Sequence, residues 1–509
     1  MDYDNVAPYE DETLPRQSSL DLSEDIWLEL SAKAHSFVTE YFESVSEVPI
    51  FPQTSTEAFA KSLSGALPEE AASIDEIIDE CRAIRDASRH TGHPRFFGYV
   101  ASSASPVGVI GDFIASSLNQ NLTAWRSSPG ATDVERTVVR WLGALIGYGD
   151  DAGGLLTSGG SMANLNALYI AHRAKSPNSS TKGLWASNNP KTIYASDQVH
   201  LSIAKAADVL GLGRDNVRLI KTDESFRIDT RDLRVRLAHD VKNGCEPFAL
   251  VGSTGTVSTG AVDPLAELAS IASEHDLWFH IDGAYGAPGA ADPAKRDLFA
   301  GLELADSISL DPHKWLYAPI DCGCLLLRDP SRAHAAFARG DADYIKVYEE
   351  SDRESFAFWD YGIELTRRFR ALKVWMILRY YGARHVSKSI SDDIALAKYL
   401  GERIVASQDF ELLAPVELSI CCFRFIPSSI RDSLLNATGD ELERLNTSVD
   451  RFNETLMHRV QRGGHAYISN AVLRGRFALR VCIVNFRTTR ADLDITLDVL
   501  REAAATVEI

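Results

Sequence analysis

Paired cysteines, long apolar runs and excess positive charge are all scarce in this chain of 509 residues. No apolar run approaches the length of a membrane-spanning helix, and residues 1–19 are acidic and polar, without the apolar core of a signal peptide. The seven cysteines include no C-x-x-C pair, which argues against a disulfide framework and against a zinc site. Lys and Arg number 52 against 71 Asp and Glu, and this net charge of −19 disfavours a broad nucleic-acid surface. We therefore expect a cytoplasmic protein without membrane, nucleic-acid or metal partners.

Several common ligand-binding signatures are also missing. The chain contains neither G-x-x-x-x-G-K-[ST] nor G-x-G-x-x-G, and no G-x-S-x-G surrounds Ser158 or Ser161. It has no internal repeat or low-complexity tract, and its 45% hydrophobic and 24% charged residues are typical of a globular protein. The length allows two or three structural units.

Short strand-like runs alternate with helical patterns from Gly153 onward. This alternation predicts an α/β fold, with a largely parallel sheet covered by helices on both faces. The seven predicted strands span residues 153–157, 192–195, 217–221, 248–253, 277–281, 307–310 and 323–327.

The segment SLDPHKW, residues 309–315, places Lys314 just past the end of a predicted strand. Open α/β sheets keep their ligand crevice at the carboxyl ends of their strands. A lysine with a lowered pKa in a closed site can act as a nucleophile and form a Schiff base with pyridoxal phosphate (PLP). A single lysine after a strand is more often structural, so further residues must carry the argument.

The segment HIDGAY, residues 280–285, ends the preceding predicted strand with Asp282. PLP chemistry needs a carboxylate that keeps the pyridine nitrogen protonated. The small Gly283 and Ala284 would let a flat ring lie close to the backbone. Asp282 could instead cap the following helix, and this residue alone does not decide between the two.

Together, HIDGAY and SLDPHKW resemble the cofactor-binding core of the group II PLP-dependent decarboxylases, the family of aromatic L-amino-acid decarboxylase and glutamate decarboxylase. The resemblance runs from about Trp27 into the C-terminal region. It implies the fold-type I PLP-dependent transferase fold, with a mainly parallel seven-stranded sheet in a large domain and a small α+β C-terminal domain. The expected divisions are a disordered tail (1–20), a helical dimerisation segment (21–90), the large PLP-binding domain (91–383) and the small domain (384–509).

Other motifs add to this resemblance. The TSGGSMANL segment is similar to the family's phosphate loop, although a simple helix cap would also explain it, and SDQVH contains the histidine that stacks on the PLP ring. HPRFFGY is similar to the substrate mouth, although an aromatic core cluster is the plainer explanation. The segment from Trp125 resembles a helix entry in which Thr132 and Glu135 have capping-box spacing. Residues 363–381 resemble the helix that closes the large domain, and we expect its basic residues to form salt bridges.

The resemblance assigns roles to individual residues. Lys314 would hold PLP, Asp282 would face its ring nitrogen, and His200 would stack on the ring and contact the substrate. The remaining cofactor neighbours would be Gly160, Ser161, Ala284, Asp311 and His313, and the remaining substrate contacts would be Tyr99 and Thr123.

Residues 338–355 are polar and charged without a clear period, as lids often are. In the resembled family this segment is a mobile catalytic loop that reaches the partner subunit's active site in a homodimer. The resemblance makes Tyr344 the residue that gives a proton to Cα. Nearby Tyr348 leaves the register open by four residues.

The implied activity is PLP-dependent α-decarboxylation of an L-amino acid to an amine and carbon dioxide, with aromatic amino acids favoured. Acidic and diamino acids stay open because Thr91 replaces a pocket tryptophan and residues 119–123 are more polar than in animal aromatic decarboxylases. Oxygen-dependent conversion to an aldehyde is a further alternative, against which Tyr344 and His200 argue. A non-catalytic PLP-fold protein is disfavoured by Lys314 and Asp282 together.

Overall fold

The computed structural model describes residues 20–53, 56–149, 151–176, 178–338 and 354–508. These residues form two compact units, one containing residues 20–48 and 52–90, and the other containing residues 49–51 and 91–508. Within these ranges, none of the helices combines the length and the apolar character that crossing a bilayer requires.

The first unit is helical. It contains α1 (Glu24–Ser44), α2 (Thr56–Ser62) and α3 (Ile74–Asp86). A capping box begins α3, because the Ser73 and Glu76 side chains each accept from the other's backbone N–H. Lys33 of α1 pairs with Asp75 of α3 at 2.6 Å. No residue of α1 or α3 is fully buried, and apolar side chains such as Trp27 and Ile77 are exposed.

A seven-stranded sheet organises the part of the second unit that the structure describes. Its strands are β1 (Gly153–Thr157), β2 (Lys191–Ser196), β3 (Val217–Ile220), β4 (Glu246–Ser253), β5 (Trp278–Asp282), β6 (Ser307–Leu310) and β7 (Gly323–Leu327). Three of them match the predicted bounds, and the others differ by one or two residues at one or both ends. The α/β prediction is confirmed.

The strand order is β1-β7-β6-β5-β4-β2-β3, and only β7 pairs antiparallel with its neighbours among these seven strands. Alternate residues point into two hydrophobic cores, one on each face, as Tyr194 and Ile193 of β2 illustrate. Helices therefore cover both faces, which explains why the strands read as nearly continuous apolar runs.

The helices of this unit, in chain order, lie between and after the strands. They are α4 (Pro106–Leu118), α5 (Pro129–Leu145), α6 (Gly160–Lys175), α7 (Ser179–Lys182), α8 (Leu201–Val209), α9 (Thr230–Lys242), α10 (Leu265–Glu274), α11 (Pro312–Trp315), α12 (Ser331–Phe337), α13 (Ala371–Val405), α14 (Ser428–Asn436), α15 (Gly439–Gly463) and α16 (Arg490–Ala504). The backbone leaves helical geometry within α13 at Gly382, where φ is 77°.

A second sheet of four antiparallel strands lies in the described C-terminal residues, in the order β10-β11-β9-β8. Its strands are β8 (Phe410–Leu412), β9 (Ile420–Phe425), β10 (Ser469–Leu473) and β11 (Arg476–Cys482). Apolar runs at residues 419–425 and 477–484 predict strands in the small domain, and β9 and β11 lie there, whereas β8 and β10 were not identified from the sequence. The two-residue turn Arg474-Gly475, in which both φ values are positive, joins β10 to β11 as a hairpin. The glycine between two apolar runs was the available signal in the sequence.

The prediction of a helix over residues 363–381 is wrong at its beginning, because α13 begins at Ala371. Residues before it pair with another loop instead: Leu122 N donates to Arg367 O at 2.9 Å, and Arg367 N donates to Asn121 Oδ1 at 2.9 Å. The expected salt bridges are confirmed, with Arg367 paired to Glu135 and Lys373 to Asp112.

The predicted capping box of Thr132 and Glu135 is also wrong. Helix α5 begins at Pro129, so both residues lie inside it, and both are buried. Glu135 Oε1 accepts from Leu156 N of β1 and from the buried Arg367 guanidinium. That guanidinium also lies 4.0 Å from the ring centroid of Phe358. Glu135 therefore ties α5, β1 and the segment before α13 together as one side of a buried ion pair.

Removing this buried carboxylate should destabilise the fold strongly. In Glu135→Gln the side chain keeps its size, but the Arg367 charge stays buried without a counter-charge, which typically costs about 3 kcal/mol or more. Glu402→Gln is the matched control, because Glu402 pairs with Lys398 at 3.9 Å on the surface and such pairs contribute about 1 kcal/mol or less. Urea unfolding followed by circular dichroism measures both. Equal midpoints would contradict this description of the core.

Candidate active site

A cavity of about 540 Å³ opens at the carboxyl ends of the parallel strands. Its walls come from the segments that follow β1, β2, β4, β5 and β6. This is the edge of the sheet where α/β proteins bind ligands. The cavity brings together nine of the residues singled out in the sequence: Tyr99, Gly160, Ser161, His200, Asp282, Ala284, Asp311, His313 and Lys314.

The structure does not place the other two singled-out residues in this cavity, for different reasons. Thr123 lies in the loop between α4 and α5 and does not line the cavity. Tyr344, with the neighbouring Tyr348, lies outside the described residues. Their roles stay predictions.

Lys314 sits on the short helix α11 directly after β6. Its Nζ lies 2.8 Å from Asp311 Oδ2, and the carboxylate of Asp311 is buried. The next residue, Trp315, is fully buried, stacks on Tyr285 and donates from Nε1 to Asp393 Oδ2 at 2.9 Å. These contacts of Trp315 hold the neighbouring backbone of Lys314 in place, and the amine of Lys314 extends from there into the cavity.

The beginning of α6 forms another wall of the cavity. A Cβ added at Gly160 would lie 2.7 Å from the Cβ of Ala284 and 3.0 Å from Asp311 Oδ2. Glycine therefore lets the helix start approach the ends of β5 and β6. The first amides of α6, including that of Ser161, and the positive end of the helix dipole favour an anion such as a phosphate there.

Asp282, the last residue of β5, is a buried carboxylate that receives three hydrogen bonds. Its Oδ1 accepts from Ser309 Oγ at 3.2 Å and from Ala284 N at 3.2 Å. Its Oδ2 accepts from Asn164 Nδ2 at 3.0 Å. Hydrogen bonds to a carboxylate favour its ionised form. The bond from Ala284 N caps the turn at residues 284–286, and no α-helix follows directly, because the 3₁₀ segment Ala287–Ala291 begins only after that turn.

Two histidines complete the cavity wall. His200 caps α8, with Nδ1 2.8 Å from Ser202 Oγ. Burial lowers the pKa of His200, and nearby Asp282 opposes that shift only in part. His313 lies with Nδ1 2.7 Å from the carbonyl of Cys322, and burial lowers its pKa as well. Both imidazoles are therefore suited to a neutral state near pH 7.

Two residues beside Asp282, namely Asn164 and His280, were not singled out from the sequence. His280 and Asp282 share one face of β5, and they pair in register with Ser307 and Ser309 of β6. The strand period of two could have indicated this polar face. Asn164 lies four residues after Gly160 and hence on the same side of α6.

These features fit PLP, whose phosphate, ring nitrogen and aldehyde need three different partners. Because position 160 is glycine, the beginning of α6 comes close to the strand ends, and its first amides can bind the phosphate. The carboxylate of Asp282 suits a protonated ring nitrogen. Lys314 supplies an amine for the aldehyde. Such an arrangement defines a PLP-dependent enzyme of fold type I.

Comparisons with known proteins identify the family. The pyridoxal-dependent decarboxylase conserved domain matches residues 57–426. Over 476 residues the chain is 33% identical to an aromatic-L-amino-acid decarboxylase of Bacillus atrophaeus, covering 93% of this chain and 95% of the relative. Over 477 residues it is 30% identical to a phenylacetaldehyde synthase of Petunia hybrida, covering 92% of each. The crystal structure of Oryza sativa TDC with PLP and tryptamine matches with a TM-score of 0.88 at 28% identity, covering 96% of this chain and 99% of that one.

The chain belongs to the pyridoxal-dependent decarboxylase family. It is a PLP-dependent decarboxylase that acts on an amino acid, a carboxy-lyase with a small-molecule substrate. The family resemblance, the fold type, the cofactor and the reaction class predicted from the sequence are confirmed.

Replacing Lys314 tests the placement of the cofactor. In Lys314→Ala we expect decarboxylation to fall to background, because no amine remains at this position to bond the aldehyde. Borohydride reduction followed by peptide mass analysis should find the cofactor on the Lys314 peptide of the unaltered enzyme and on no peptide of the variant. Lys398→Ala, at an exposed site on α13, is the control. A reduced cofactor on a different lysine would refute the assignment.

Proposed function

We propose that this enzyme is a homodimeric, cytoplasmic decarboxylase of aromatic L-amino acids, which it converts to the amine and carbon dioxide. The observation that carries the substrate class is the charge of the cavity. Among the described lining residues there is no arginine, and the lysine is Lys314. The side chain of an acidic substrate would thus have no cation to pair with. The second amine of a diamino acid would compete for Asp282 and Asp311, which already contact Asn164 and Lys314.

The mouth of the cavity supports an aromatic substrate. Tyr99 and Val100 line it, and Val257 contributes a further apolar wall. The backbone of Tyr99 is left-handed, with φ of 58°, and its carbonyl accepts from Arg480 Nη1 at 2.7 Å. Its hydroxyl lies 3.3 Å from that of Tyr467. An unfavourable backbone conformation held by such contacts is a frequent feature of ligand sites.

The residues divide the work as follows in this proposal. Lys314 would hold the cofactor through its amine, and the start of α6 at Gly160 and Ser161 would bind the phosphate. When bound, PLP supplies an acceptor for the electron pair that carbon dioxide leaves at Cα. Asp282 keeps the ring nitrogen protonated, and His200 lies against the ring. Ala284, Asp311 and His313 enclose the cofactor, Tyr99 and Thr123 contact the substrate, and Tyr344 delivers the proton to Cα.

Exposed apolar surface supports the homodimer. Helix α4 carries a stripe of exposed apolar side chains at helical spacing: Ile110, Phe113, Ile114 and Leu118. A stripe of this kind usually marks a protein interface. Thr123 follows α4 closely in the chain, so a partner bound at α4 would lie near Thr123. We propose that the partner subunit thereby completes the site.

Two further proposals concern compartment and domains. All seven cysteines lie in described positions as free thiols, five of them buried, which suits a reducing compartment such as the cytoplasm. We retain the helical dimerisation segment 21–90, the large domain 91–383 and the small domain 384–509. The break of α13 at Gly382 lies beside the last of these boundaries.

A panel of L-amino acids tests the substrate class. We expect kcat/KM for at least one of tyrosine, tryptophan, phenylalanine or DOPA to exceed that for glutamate and 2,4-diaminobutyrate by about tenfold or more, since apolar pockets discriminate at this level. Carbon dioxide release measures each substrate, and the mass of the amine confirms the product. Preference for glutamate or for the diamino acid would overturn the aromatic assignment.

Relatives named phenylacetaldehyde synthase make the aldehyde a competing product. The two outcomes diverge at Cα, which is either protonated or oxidised by dissolved oxygen. In the second case the amino acid, oxygen and water give the aldehyde, carbon dioxide, ammonia and hydrogen peroxide. Removing the proton donor should slow amine formation by about 10²–10⁴-fold and leave Cα open to oxygen.

We therefore expect Tyr344→Phe to shift the product from amine toward aldehyde and peroxide, with oxygen consumed. Tyr348→Phe is the matched control, because it removes the same hydroxyl four residues away. Amine, aldehyde and peroxide are quantified for both variants. A shift confined to Tyr348→Phe would place the donor at Tyr348 instead, and no shift in either variant would refute the role of this loop.

A further inference from the structure

A buried chain of hydrogen bonds links the two cofactor-facing groups Asp282 and His200. Its centre is Asn164 on α6, whose Nδ2 donates to Asp282 Oδ2 at 3.0 Å and to Ser202 Oγ at 2.9 Å. Ser202 Oγ lies 2.8 Å from Nδ1 of His200. On the other side, Asn164 Oδ1 lies 2.9 Å from Nε2 of His280.

The chain of hydrogen bonds continues from His280 away from the cavity. Nδ1 of His280 lies 2.9 Å from Ser307 Oγ, which also accepts from Trp278 Nε1 at 2.9 Å. Trp278 and Ser307 are buried, and His280 is fully buried. No solvent therefore competes for these contacts, so each donor must find its acceptor within the chain.

Asp282 at one end of this chain of hydrogen bonds and Trp278 at the other fix the direction of every hydrogen bond between them. An ionised carboxylate only accepts, so the amide nitrogen of Asn164 must face Asp282, and its oxygen must face His280. His280 then donates from Nε2 and accepts at Nδ1 from Ser307. That direction agrees with Trp278, which can only donate. Burial lowers the pKa of His280 to about 4, so the neutral ring that this pattern requires is the one present near pH 7.

The branch to His200 follows from the same logic. Ser202 Oγ accepts from Asn164, so its single hydrogen is directed to Nδ1 of His200. The backbone N–H of Ser202 also points to this nitrogen, at 3.3 Å. Two donors at Nδ1 leave the proton of a neutral imidazole on Nε2.

We propose that Asn164 and His280 are positioning residues that set the protonation pattern of the active site. They hold Asp282 as an acceptor and lock His200 as the neutral Nε2–H tautomer. His200 therefore offers an N–H donor, and not a lone pair, to what the cavity binds. The inference rests on the roles of Asp282 and His200 proposed above, but the pattern exists before any cofactor or substrate binds.

Nitrogen NMR of the cofactor-free enzyme, labelled with ¹⁵N-histidine, tests the pattern independently of activity. Loss of a signal in His200→Gln assigns His200, and its two nitrogen shifts distinguish the tautomers. We expect one tautomer, Nε2–H, at pH 7.5 in the unaltered enzyme. In Asn164→Ala the hydroxyl of Ser202 is free to turn, and we expect a mixture of both tautomers. The same mixture is expected in Ser202→Ala, which removes the hydroxyl at 2.8 Å and leaves only the longer contact of the backbone N–H, at 3.3 Å, on Nδ1 of His200.

Asn166→Ala is the matched control. Asn166 lies on the same helix and is equally buried, but its amide donates to Met162 O and accepts from Ile363 N. We expect it to leave the His200 tautomer and kcat unchanged. Asn164→Ala should lower kcat about tenfold, the effect of losing the hydrogen bond to Asp282, with KM little changed.

An Nδ1–H tautomer in the unaltered enzyme would overturn the proposal, as would a single Nε2–H tautomer retained in both Asn164→Ala and Ser202→Ala. If Asn164→Ala does not fold, the unaltered enzyme and Ser202→Ala decide. If the cofactor-free spectra agree with the proposal but no amino acid is decarboxylated, the proposed function fails and the hydrogen-bond pattern stands.

Discussion

The buried carboxylate of Asp282 is the constraint on which the rest of the site depends. A buried charge is expensive unless hydrogen bonds replace the water it loses. Here those bonds come from Ser309 on β6, from Asn164 on α6 and from the backbone of Ala284. The register of β5 with β6 and the start of α6 are therefore both needed to keep this one charge in place. The same register places Lys314 at the end of β6.

The large sheet was predictable because burial on both faces leaves a simple signal, and the strand ends then located Asp282 and Lys314. Contacts between distant segments left no such signal. Arg367 is held outside a helix by the loop at Asn121 and by Glu135, and the sequence around it reads as helical. The short strand β8 was missed because a three-residue strand has too few positions to show alternation. Asn164 was missed because its partners lie on two other elements, β5 and α8, that are distant in sequence.

The two products considered for the proposed function, an amine and an aldehyde, would differ only in what reaches Cα after carbon dioxide leaves. The residues at the ends of the strands would hold PLP, which accepts the electrons, and place the carboxylate of Asp282 against it. The proposed proton donor belongs to a different segment of the chain. Relatives named as decarboxylases and as an aldehyde synthase match this chain over more than nine-tenths of its length. A shared sheet edge with different groups near Cα would account for both.

The central claim is that Asp282 holds the ring nitrogen of PLP in its protonated form, and nitrogen NMR tests it most directly. The cofactor-free enzyme is loaded with PLP labelled with ¹⁵N in the ring, and the ring-nitrogen shift is recorded between pH 7 and 9. We predict the shift of a protonated pyridine across this range, and the shift of an unprotonated ring in Asp282→Asn. An unprotonated ring nitrogen in the unaltered enzyme would contradict the account.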